Sequence, residues 1–549
     1  MKYELVEMFR DLASCYTYLG DAWRSKAYEK VAMILEGLPK DITSIDDVKG
    51  IAGIGASSLG KISEFLSTNR CSDLIKVRQQ CPPKSVDDFT KIPGVGPKTA
   101  VKLWKTYNIT TLAELKAKLD DGTIKDAKLK EGVEFALNSS ERTPIGMILP
   151  IALPILDKIR NVDGVLRAEF AGSLRRKKET IRDVDFIVSV EDITTEVHDA
   201  VKAVFGTATV DAEGDKKIRA RVAGIQMDVL FVPKKEYGAA LQYFTGSKEH
   251  NVELRKIAKA RGLLLNEKGL FDASGKVLAQ ENEEDIYTVL GVPFLPPELR
   301  QDGNEVGKIA PQLIEPADIR GLLHNHTKWS DGTDEIEQLI LAAIRKGYKY
   351  IGITDHTESL IIAKGMLPTR WEEQLVAVVK LAEKYKDKIQ VLISAEMDVL
   401  GEGECDYEDD IIQRMDYVTL ALHRQPTVNV ATRFITAIEH IRSIGYTKPI
   451  ILAHPSGRQF GKTDCAQTDW NALFDVCVKY NVVLEINSLP ERLDLEFSLC
   501  KQAKAKGLKF SIATDSHHHS HFDYVPLGVS VARSAWLTKD DVINTQETL

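Results

Sequence analysis

The sequence predicts a multidomain protein in which helical modules precede a mixed α/β region and a closed parallel (β/α)7 barrel. Three observations predict this order: helical periodicity over residues 4–70, strand-like runs from about residue 145, and seven apolar runs that alternate with helical stretches after residue 319. Parallel βα units in that rhythm are typical of a barrel. At about 100–200 residues per domain, the 549 residues require several domains.

The composition excludes several classes of protein. Hydrophobic residues make up 44% and charged residues 28% of the chain, which excludes a disordered, collagenous or membrane protein. The opening MKYELVEMFRDL lacks the apolar stretch of a signal peptide, so a cytoplasmic protein is expected. Seven scattered cysteines without a CxxC pair indicate reduced thiols, neither a disulfide framework nor a cysteine zinc site.

Charges and histidines divide unevenly along the chain. The formal net charge is −8, but residues 1–300 hold 45 basic and 44 acidic residues, whereas residues 301–549 hold 27 and 36. Two of the 12 histidines precede residue 300, and ten follow residue 320. The two halves are therefore expected to carry different chemistry.

Two segments of the helical region share an apolar-x-Gly-apolar-Gly core. They are IAGIG at 51–55 and IPGVG at 92–96, each followed by a helical, lysine-bearing stretch. Glycines permit a tight turn, so that backbone N–H groups at the start of the next helix can meet a DNA phosphate. The alternative is a pair of ordinary turns between helices. The predicted DNA-binding residues are Gly53, Gly55, Lys61, Gly94, Gly96 and Lys98.

Three aspartates in strand-like segments predict a nucleotidyl-transfer site. Asp183 and Asp185 occupy alternate positions of RDVDFIVSV and so share one face of a strand, and Asp228 lies in a second run, IQMDVLFVP. Three such carboxylates suit two Mg²⁺ ions that activate a 3′-hydroxyl and neutralise a leaving pyrophosphate. A Gly-Ser pair and a basic run precede the first two aspartates. The alternative is an exposed Asp-x-Asp beside a solvated basic stretch.

Residues 1–300 resemble the family X DNA polymerases, the relatives of DNA polymerase beta. GSLRRKKETIRDVD resembles the palm motif of that family, and YFTGSKEHNVELR with GLLLNEKGLF resembles its nucleotide-binding segment. The resemblance implies that the three aspartates are catalytic and ligate Mg²⁺ or Mn²⁺. The implied nucleotide-binding residues are Gly172, Ser173, Arg176, Tyr243, Phe244, Gly246, Asn251 and Arg255.

The resemblance also assigns roles within that set. Ser173 and Arg176 would hold the triphosphate; Tyr243, Phe244 and Gly246 would line the sugar; Asn251 would touch the incoming base and Arg255 would approach the template strand. The alternative for the two aromatic residues is a place in the core. GKISEFLSTNR resembles a lyase segment with Lys61 at the Schiff-base position. Because Ser57 stands where that motif has a second lysine, we expect Lys61 to contact phosphate instead.

Nine residues of metal-binding types follow the predicted strands of the second half. They stand at or just after the ends of six of the seven strands, on the rim where βα loops build active sites. A single histidine at a strand end is usually structural, but nine such residues favour a metal cluster that activates water against a phosphodiester. The residues are His324, His326, Asp331, His356, Glu396, His423, His454, Asp515 and His517.

Residues 319–549 resemble the PHP (polymerase and histidinol phosphatase) domain, a trinuclear metallo-phosphoesterase barrel, through HNH, SDG, TDH, LALH, AHPSG and TDSH. The resemblance implies up to three Zn²⁺, Mn²⁺ or Fe²⁺ ions. The implied ligand sets are His324, His326, Glu396 and Asp515; Glu396, His423 and His454; and Asp331, His356 and His517. Asp355 is expected to orient His356. His518, His519 and His521 are expected in a solvated loop, and His440 in a structural helix.

Together these features resemble a bacterial family X DNA polymerase with a C-terminal PHP domain. The expected domains are a helical DNA-binding domain (1–80), a helix-hairpin-helix subdomain (81–143), a palm (144–232), a nucleotide-selecting thumb subdomain (233–300), a linker (301–318) and the PHP domain (319–549).

The expected function is the filling of short gaps in DNA repair, including base excision repair, with a metal-dependent nuclease in the barrel. That nuclease could be a 3′-5′ exonuclease, an abasic-site endonuclease or a 3′-phosphatase. Gapped or nicked DNA and dNTPs are the expected partners of a monomer that binds no membrane. The alternatives make the barrel a small-molecule phosphoesterase or a structural scaffold.

Overall fold

The computed structural model of the protein describes residues 2–36, 42, 44–51, 53–68, 70–78, 81, 83, 86, 89, 92, 95–126, 128–130, 132–133, 142–206, 209–223 and 225–549. The chain forms two compact units, Met1–Glu141 and Arg142–Leu549. Of the helices within the described residues, none combines the length and apolar character needed to cross a bilayer.

The first unit is helical. The first two helices pack through a buried core in which the rings of Phe9 and Tyr28 lie 5.9 Å apart. A second core, around Leu103 and Leu115, lies under the helices Pro97–Tyr107 and Leu112–Asp120. The helices are α1 (Lys2–Tyr18), α2 (Ala22–Glu36), α3 (Ala56–Thr68), α4 (Ser72–Arg78), α5 (Pro97–Tyr107) and α6 (Leu112–Asp120).

The second unit begins with a five-stranded sheet and its flanking helices. The strand order is β2-β4-β7-β6-β5, in which β4 and β7 are parallel and the other pairs are antiparallel. The elements are β1 (Thr143–Pro144), α7 (Ile145–Arg160), β2 (Val165–Phe170), α8 (Gly172–Arg175), β3 (Thr180–Ile181), β4 (Asp183–Val190), α9 (Thr195–Ala203), β5 (Thr209–Gly214), β6 (Lys217–Val222) and β7 (Ile225–Pro233).

A small helical subdomain with a three-stranded antiparallel sheet follows. The buried carboxylate of Glu283 joins it to the preceding sheet, because Arg175 donates to that carboxylate at 2.7 and 3.0 Å and Arg300 at 2.6 Å. Its elements are α10 (Tyr237–Thr245), α11 (Lys248–Ala260), β8 (Leu264–Asn266), β9 (Gly269–Phe271), β10 (Val277–Ala279) and α12 (Glu283–Val289).

The remainder of the unit alternates strands and helices. Its elements are β11 (Gly321–Leu322), α13 (Ile336–Lys346), β12 (Tyr350–Ile353), α14 (Pro368–Tyr385), β13 (Gln390–Ile393), β14 (Glu396–Asp398), α15 (Asp409–Arg414), β15 (Val418–Ala421), α16 (Val430–Ser443), β16 (Ile450–Leu452), α17 (Trp470–Tyr480), β17 (Val483–Asn487), α18 (Phe497–Ala505), β18 (Phe510–Ala513) and α19 (Val525–Ser534).

These strands form seven parallel runs, as predicted. Strands β11-β12-β13 make one sheet and β14-β15-β16-β17-β18 make another, and the run 390–398 belongs to both because it contributes β13 and then β14. A parallel bridge between Asn325 and Ser516 joins the ends of the first and last runs. The predicted multidomain fold class is confirmed. Because the runs are parallel, their carboxyl ends all lie at the same rim of the barrel.

The segment 301–318, expected as a linker, is packed onto its surroundings. Leu313 and Ile314 are buried, and the Ile314 N–H donates to the carbonyl of Leu537 at 3.1 Å. Arg533 donates to the carbonyl of Ile314 at 3.0 Å. The polar composition and two prolines of this segment predict a linker. The segment is packed instead because its few apolar side chains are buried beside α19.

The sheet of β2–β7 and the barrel share one hydrophobic core. At Gly146 in α7, an added Cβ would lie 2.6 Å from Pro490 and 2.8 Å from Leu527, so only glycine permits this approach. Beside it, the buried Arg458 pairs with Glu179 at 2.7 Å, and the Phe497 N–H donates to the same carboxylate at 3.1 Å. The two regions therefore form a continuous folded body.

Substituting Arg458→Met should lower the free energy of unfolding by about 3 kcal/mol or more, because Glu179 then stays buried without its cation. Urea denaturation of the full-length chain would measure this loss. The double variant Glu179→Gln with Arg458→Met should recover part of it, since the uncompensated charge is gone. The exposed Lys479→Met is the control, and a loss for Arg458→Met as small as that control would contradict the prediction.

Candidate active sites

The three predicted carboxylates of the first site lie on neighbouring strands. Asp183 and Asp185 share a face of β4, while the intervening Val184 is buried on the other face. Strand β7 runs parallel to β4 in a register that pairs Asp185 directly with Asp228. The alternation and the register bring Asp185 and Asp228 side by side, although the three carboxylates do not meet within 4.8 Å of one another as the barrel residues do.

Two basic side chains of the neighbouring strand contact Asp228. Arg219 donates to Asp228 at 2.7 and 3.0 Å, and the Lys217 amine lies 3.2 Å from the same carboxylate. Burial, followed by the negative charges of Asp183 and Asp228, raises the pKa of Asp185 to about 6. Neighbouring carboxylates that disfavour one another's charge are a fitting site for divalent cations, and an all-oxygen donor set suits Mg²⁺.

The turn before β4 is shaped around Asp185. Gly172 has a φ of +56°, and a Cβ there would collide with the Asp185 carboxylate. Arg176 donates to the carbonyl of Thr245, and its Nη1 would lie 3.1 Å from a Cβ at Gly246. The Gly172–Arg176 turn is thereby brought against the Thr245–Gly246 turn, so the two predicted nucleotide-binding segments meet in space.

Two cations of the basic run are directed elsewhere. Arg175, the first residue of the basic run, pairs with the buried Glu283 and donates to the Thr245 hydroxyl at 2.7 Å. Lys178 donates to Gln301, and its amine lies 4.7 Å from the centre of the Phe497 ring. The sequence of the basic run alone does not predict these partners, because they lie more than 60 residues away along the chain. Ser173 is half-buried beside them.

The predicted sugar and base contacts surround the end of α10. Phe244 is exposed and Tyr243 half-buried, with their rings edge to face at 5.1 Å, so Phe244 is not part of the core. The Asn251 side chain is buried, donates to the Tyr243 carbonyl and accepts from Gln242, both at 2.7 Å. In this structure Asn251 thus holds the end of α10, and Arg255 is exposed on α11.

The two hairpins differ in their need for glycine. Gly53 has a φ of +95°, whereas Gly96 is extended and precedes Pro97 at the start of α5. No neighbouring atom lies within 4 Å of a Cβ built at Gly55 or Gly96, so a ligand such as a DNA phosphate could approach the backbone at both positions. Gly94 lies outside the described residues, as does the side chain of Lys98.

Lys61 is bound within the first unit. Its amine donates to the Ser57 hydroxyl at 3.0 Å and lies 3.0 Å from the Asp73 carboxylate. Burial lowers the pKa of Lys61, but hydrogen bonds to Asp73 and Tyr28 outweigh it and leave the pKa above its usual value. A protonated amine is a poor Schiff-base nucleophile, which agrees with the expectation drawn from Ser57.

All nine predicted metal-binding residues of the barrel gather at its rim. Ligand atoms within 4.8 Å of one another form three overlapping groups: His324, His326, Glu396 and Asp515; His326, Asp331, His356 and His517; and His356, Glu396 and His423. The first coincides with the first implied ligand set. The second contains the third implied set together with His326. The third holds Glu396 and His423 of the second implied set with His356 in place of His454, although His454 lies 2.7 Å from Glu396.

Glu396 stands at the centre of these groups. Its fully buried carboxylate lies 2.7–3.4 Å from ring nitrogens of five histidines, which are His324, His326, His356, His423 and His454. Asp515 lies 3.1 Å from His326, and Asp331 lies 3.3 Å from His517. His454 and Asp515 both have positive φ, at 29° and 45°, and non-glycine residues held in this region cluster at functional sites.

Several supporting residues escaped the sequence analysis. Glu485 and Asn487 come from β17, the run without a predicted ligand: Glu485 lies 2.7 Å from Nδ1 of His324, and Asn487 donates to Asp515 at 3.1 Å. Asp398 lies 3.3 Å from Nδ1 of His423. The sequence did contain a signal for two of them. Glu485 is a carboxylate inside the otherwise apolar run VLEIN, and Asp398 lies two positions after the predicted ligand Glu396.

The expected partnership of Asp355 with His356 is wrong. Asp355 instead accepts hydrogen bonds from the backbone and hydroxyl groups of Thr327 and Ser330 and from Gln374. It therefore fixes the loop between His326 and Asp331. Adjacent residues in an extended segment point in opposite directions, so Asp355 and His356 face different neighbours.

The donor atoms of the cluster fit divalent metals. Four buried atoms lack a hydrogen-bond partner: Nε2 of His324, Nδ1 of His326, Nδ1 of His356 and Oε2 of Glu396. Unsatisfied buried nitrogen and oxygen atoms are costly unless something binds them. Mixed imidazole and carboxylate donors suit Zn²⁺, Mn²⁺ or Fe²⁺.

The buried carboxylates and imidazoles of the cluster shift one another's pKa values. Burial opposes protonation of His324, but Glu485, Asp515 and Glu396 outweigh it and raise the pKa of His324 well above its usual value. Burial likewise opposes ionisation of Glu396, yet His423, His324 and His356 hold the pKa of Glu396 well below its ordinary range. Buried carboxylates here demand positive charge, which protons or metal ions can supply.

The four histidines of the barrel outside the predicted ligand sets have different surroundings. His519 and its backbone N–H contact the buried Asp334 carboxylate at 2.8 and 2.7 Å, which anchors the loop that carries His517. His518 is half-buried, and its Nδ1 lies 2.8 Å from the Ser520 hydroxyl. His521 is half-buried and lines a cavity beside His517. His440 on α16 pairs with Asp409 at 2.8 Å, in agreement with a structural role.

Comparison with known proteins assigns most of these regions to families. Sequence models of families match the helix-hairpin-helix domain at residues 2–71, the SAM-like helix-hairpin-helix tandem at 86–128, the DNA polymerase beta thumb at 240–301 and the PHP domain at 323–488. The matched segments include the two glycine hairpins, the nucleotide-selecting region and seven of the nine metal-binding residues of the barrel, whereas Asp515 and His517 lie beyond the PHP match.

Similar proteins extend the match over the whole chain. The DNA polymerase/3′-5′ exonuclease PolX of Bacillus subtilis is 31% identical over 99% of this chain and 97% of its own length. DNA polymerase lambda of Rattus norvegicus is 25% identical over 53% of this chain and 55% of its own length. The DNA polymerase lambda of Arabidopsis thaliana is 26% identical over 54% of this chain and 61% of its own length.

Removal of metal should destabilise the barrel, because a ligand that binds only the native state adds about 2.7 kcal/mol at a hundredfold excess over its Kd. Treating the full-length protein with a chelator should lower Tm, and Zn²⁺ or Mn²⁺ should restore it. The variant His326→Ala with Asp515→Ala should hold at least one ion fewer per chain by mass spectrometry. Lys479→Gln is the control; unchanged metal content in the double variant would contradict the assignment.

Proposed function

The chain belongs to the family X DNA polymerases that carry a PHP domain, and from this we infer that it is a DNA-directed DNA polymerase of DNA repair with a metal-dependent 3′-5′ exonuclease. The observation that carries this inference is the match to a polymerase/exonuclease over the full length of both chains. The protein has two separate groups of candidate metal ligands, the carboxylates on β4 and β7 and the histidine cluster on the barrel rim. Their separation supports a different reaction at each site.

We propose that Asp183, Asp185 and Asp228 hold Mg²⁺ or Mn²⁺ for nucleotide addition. When bound, such ions lower the pKa of an attacking hydroxyl and neutralise a leaving pyrophosphate. Arg176 and the Gly172–Ser173 turn would bind the triphosphate, while Tyr243, Phe244 and Gly246 would face the sugar. Asn251 would act near the base and Arg255 on the template strand.

We propose that the nine barrel residues hold up to three Zn²⁺, Mn²⁺ or Fe²⁺ ions in the implied sets. Such ions would supply Lewis-acid activation of water and of a phosphodiester. Glu485, Asn487 and Asp398 would orient the ligands that they contact. An abasic-site endonuclease and a 3′-phosphatase are further activities that the same chemistry allows.

Gapped or nicked DNA and dNTPs are the proposed substrates, and base excision repair the proposed setting. We propose that the hairpins grip DNA phosphates through Gly53, Gly55, Lys61, Gly94, Gly96 and Lys98. Residues 301–549 carry nine more acidic than basic residues, so their overall charge repels DNA and binding there depends on local contacts at the rim of the barrel. We further propose the domain boundaries given above, a monomeric state and a cytoplasmic location.

The function is tested by incubating the full-length protein with an end-labelled gapped duplex, in Mg²⁺ and in Mn²⁺, with and without dNTPs. We expect the upstream strand to lengthen with dNTPs and to shorten without them. Failure of both reactions in both metals would refute the proposal. Hydrolysis of small phosphate esters without any shortening of DNA would instead favour the small-molecule alternative.

The two activities should respond to separate residues. Asp183→Asn with Asp185→Asn should abolish extension and leave shortening of a 3′ end within about threefold of wild type. His326→Ala with Asp515→Ala should abolish shortening and retain extension, since nucleotide addition uses none of those residues. Both rates can be measured on one labelled duplex. Loss of shortening in the first variant would place the nuclease in the palm.

Gly172→Ala should impair extension specifically. The added Cβ meets the Asp185 carboxylate and strains a φ of +56°, so Asp185 must move. We expect extension at saturating dNTP to fall by more than about tenfold, a transition-state loss of about 1.4 kcal/mol. The matched control is Gly206→Ala, also at positive φ but without atoms near its Cβ. Equal extension by the two variants would contradict the role of this contact.

A further inference from the structure

A cavity of 310 Å³ opens beside the metal-binding residues of the barrel. Asp515 and His517 form part of its wall, and the rest comes from the segments around Phe460 and Arg492. Its volume lies at the lower end of the range for small-molecule sites. The cavity is therefore of a size for one small polar ligand held against the metals.

The charge of the cavity suits a phosphate next to the metals. The guanidinium of Arg492 lies 3.8 Å from the Asp515 carboxylate, and its side chain is largely buried. Lys462 adds a second, exposed cation to the lining, and Glu491 adds a carboxylate. An arginine fork can bind two phosphate oxygens at once, which makes Arg492 the stronger candidate for a phosphate that also faces the metal ligands.

Phe460 provides an aromatic surface in the same cavity. The Phe460 N–H donates to the carbonyl of Glu491 at 2.8 Å, which ties the two sides of the cavity together. The guanidinium of Arg458 lies over the Phe460 ring, 4.7 Å from its centre. Arg458 is held in turn by Glu179 of the palm and by the carbonyls of Arg492 and Leu493. The ring is thus fixed before any ligand arrives.

We propose that this cavity binds the 3′-terminal nucleotide of a DNA strand, with its phosphate on Arg492 and Lys462 and its base against Phe460. This inference rests on the proposed nuclease function and adds the residues that select the end of the strand. Stacking on one ring tolerates every base, because each base has a π face. Arg458 and the palm residue Glu179 are positioning residues that set the orientation of Phe460.

The test compares two labelled single strands that differ only at the last nucleotide, one ending in thymidine and one in an abasic tetrahydrofuran nucleotide. Full-length wild type, Phe460→Leu, Arg492→Gln, Arg492→Lys and the distant control Lys479→Gln are compared by kcat and KM for removal of that nucleotide. Metal content of each variant and hydrolysis of bis(p-nitrophenyl) phosphate report whether the metal centre is intact.

Phe460→Leu should reduce the preference of kcat/KM for thymidine over the abasic end by about tenfold, mostly through KM, since stacking of one base supplies an effect of this order. Arg492→Gln should lower kcat/KM on both ends by about tenfold or more, because a charge-assisted phosphate contact is lost. That variant should keep its metal and an unchanged preference, and Arg492→Lys should recover part of the loss.

An unchanged preference in Phe460→Leu, with wild type active, would overturn the placement of the base while leaving the nuclease function intact. Loss of metal in Arg492→Gln would show that Arg492 acts through Asp515 and would overturn its phosphate role. If wild type shortens neither strand in Mn²⁺ or Zn²⁺, the proposed nuclease function is refuted, and this inference is refuted as well because it depends on that function.

Discussion

The burial of Glu396 among five histidines is the constraint on which the barrel half of the protein depends. A carboxylate removed from solvent needs polar partners that offset its lost hydration, and the imidazoles that face Glu396 come from four separate strand ends. Those ends meet only because all seven runs are parallel and the Asn325–Ser516 bridge joins the last to the first. The closure of the barrel and the assembly of the cluster are therefore one event.

The same constraint extends outward to a layer of polar residues. Glu485 holds His324, Asn487 holds Asp515, Asp398 holds His423, and Asp355 holds the loop between two ligands. Each of these groups is itself buried and finds its own hydrogen-bond partners. Such networks are rigid when complete, which suits a site whose side chains must keep a metal-binding geometry.

The palm and the barrel keep separate chemistry within one folded body. No predicted ligand is shared between β4, β7 and the barrel rim, yet one hydrophobic core runs through both regions. Glu179 follows the basic run that precedes the palm carboxylates, and Arg458 follows His454 by four residues. Their buried pair connects a loop of the palm with a loop of the barrel, so the two regions contribute to one another's stability.

The sequence by itself determined the elements whose cause is local. Alternation along one strand put Asp183 and Asp185 on one face, and ligand types after successive apolar runs predicted a metal cluster on one rim, because these depend only on strand period and parallel order. The tertiary structure alone decided the partners of Arg175, Asp355 and Asn251 and the packing of 301–318. Those depend on which side chain from a distant segment reaches a buried group, and neither composition nor periodicity carries that information.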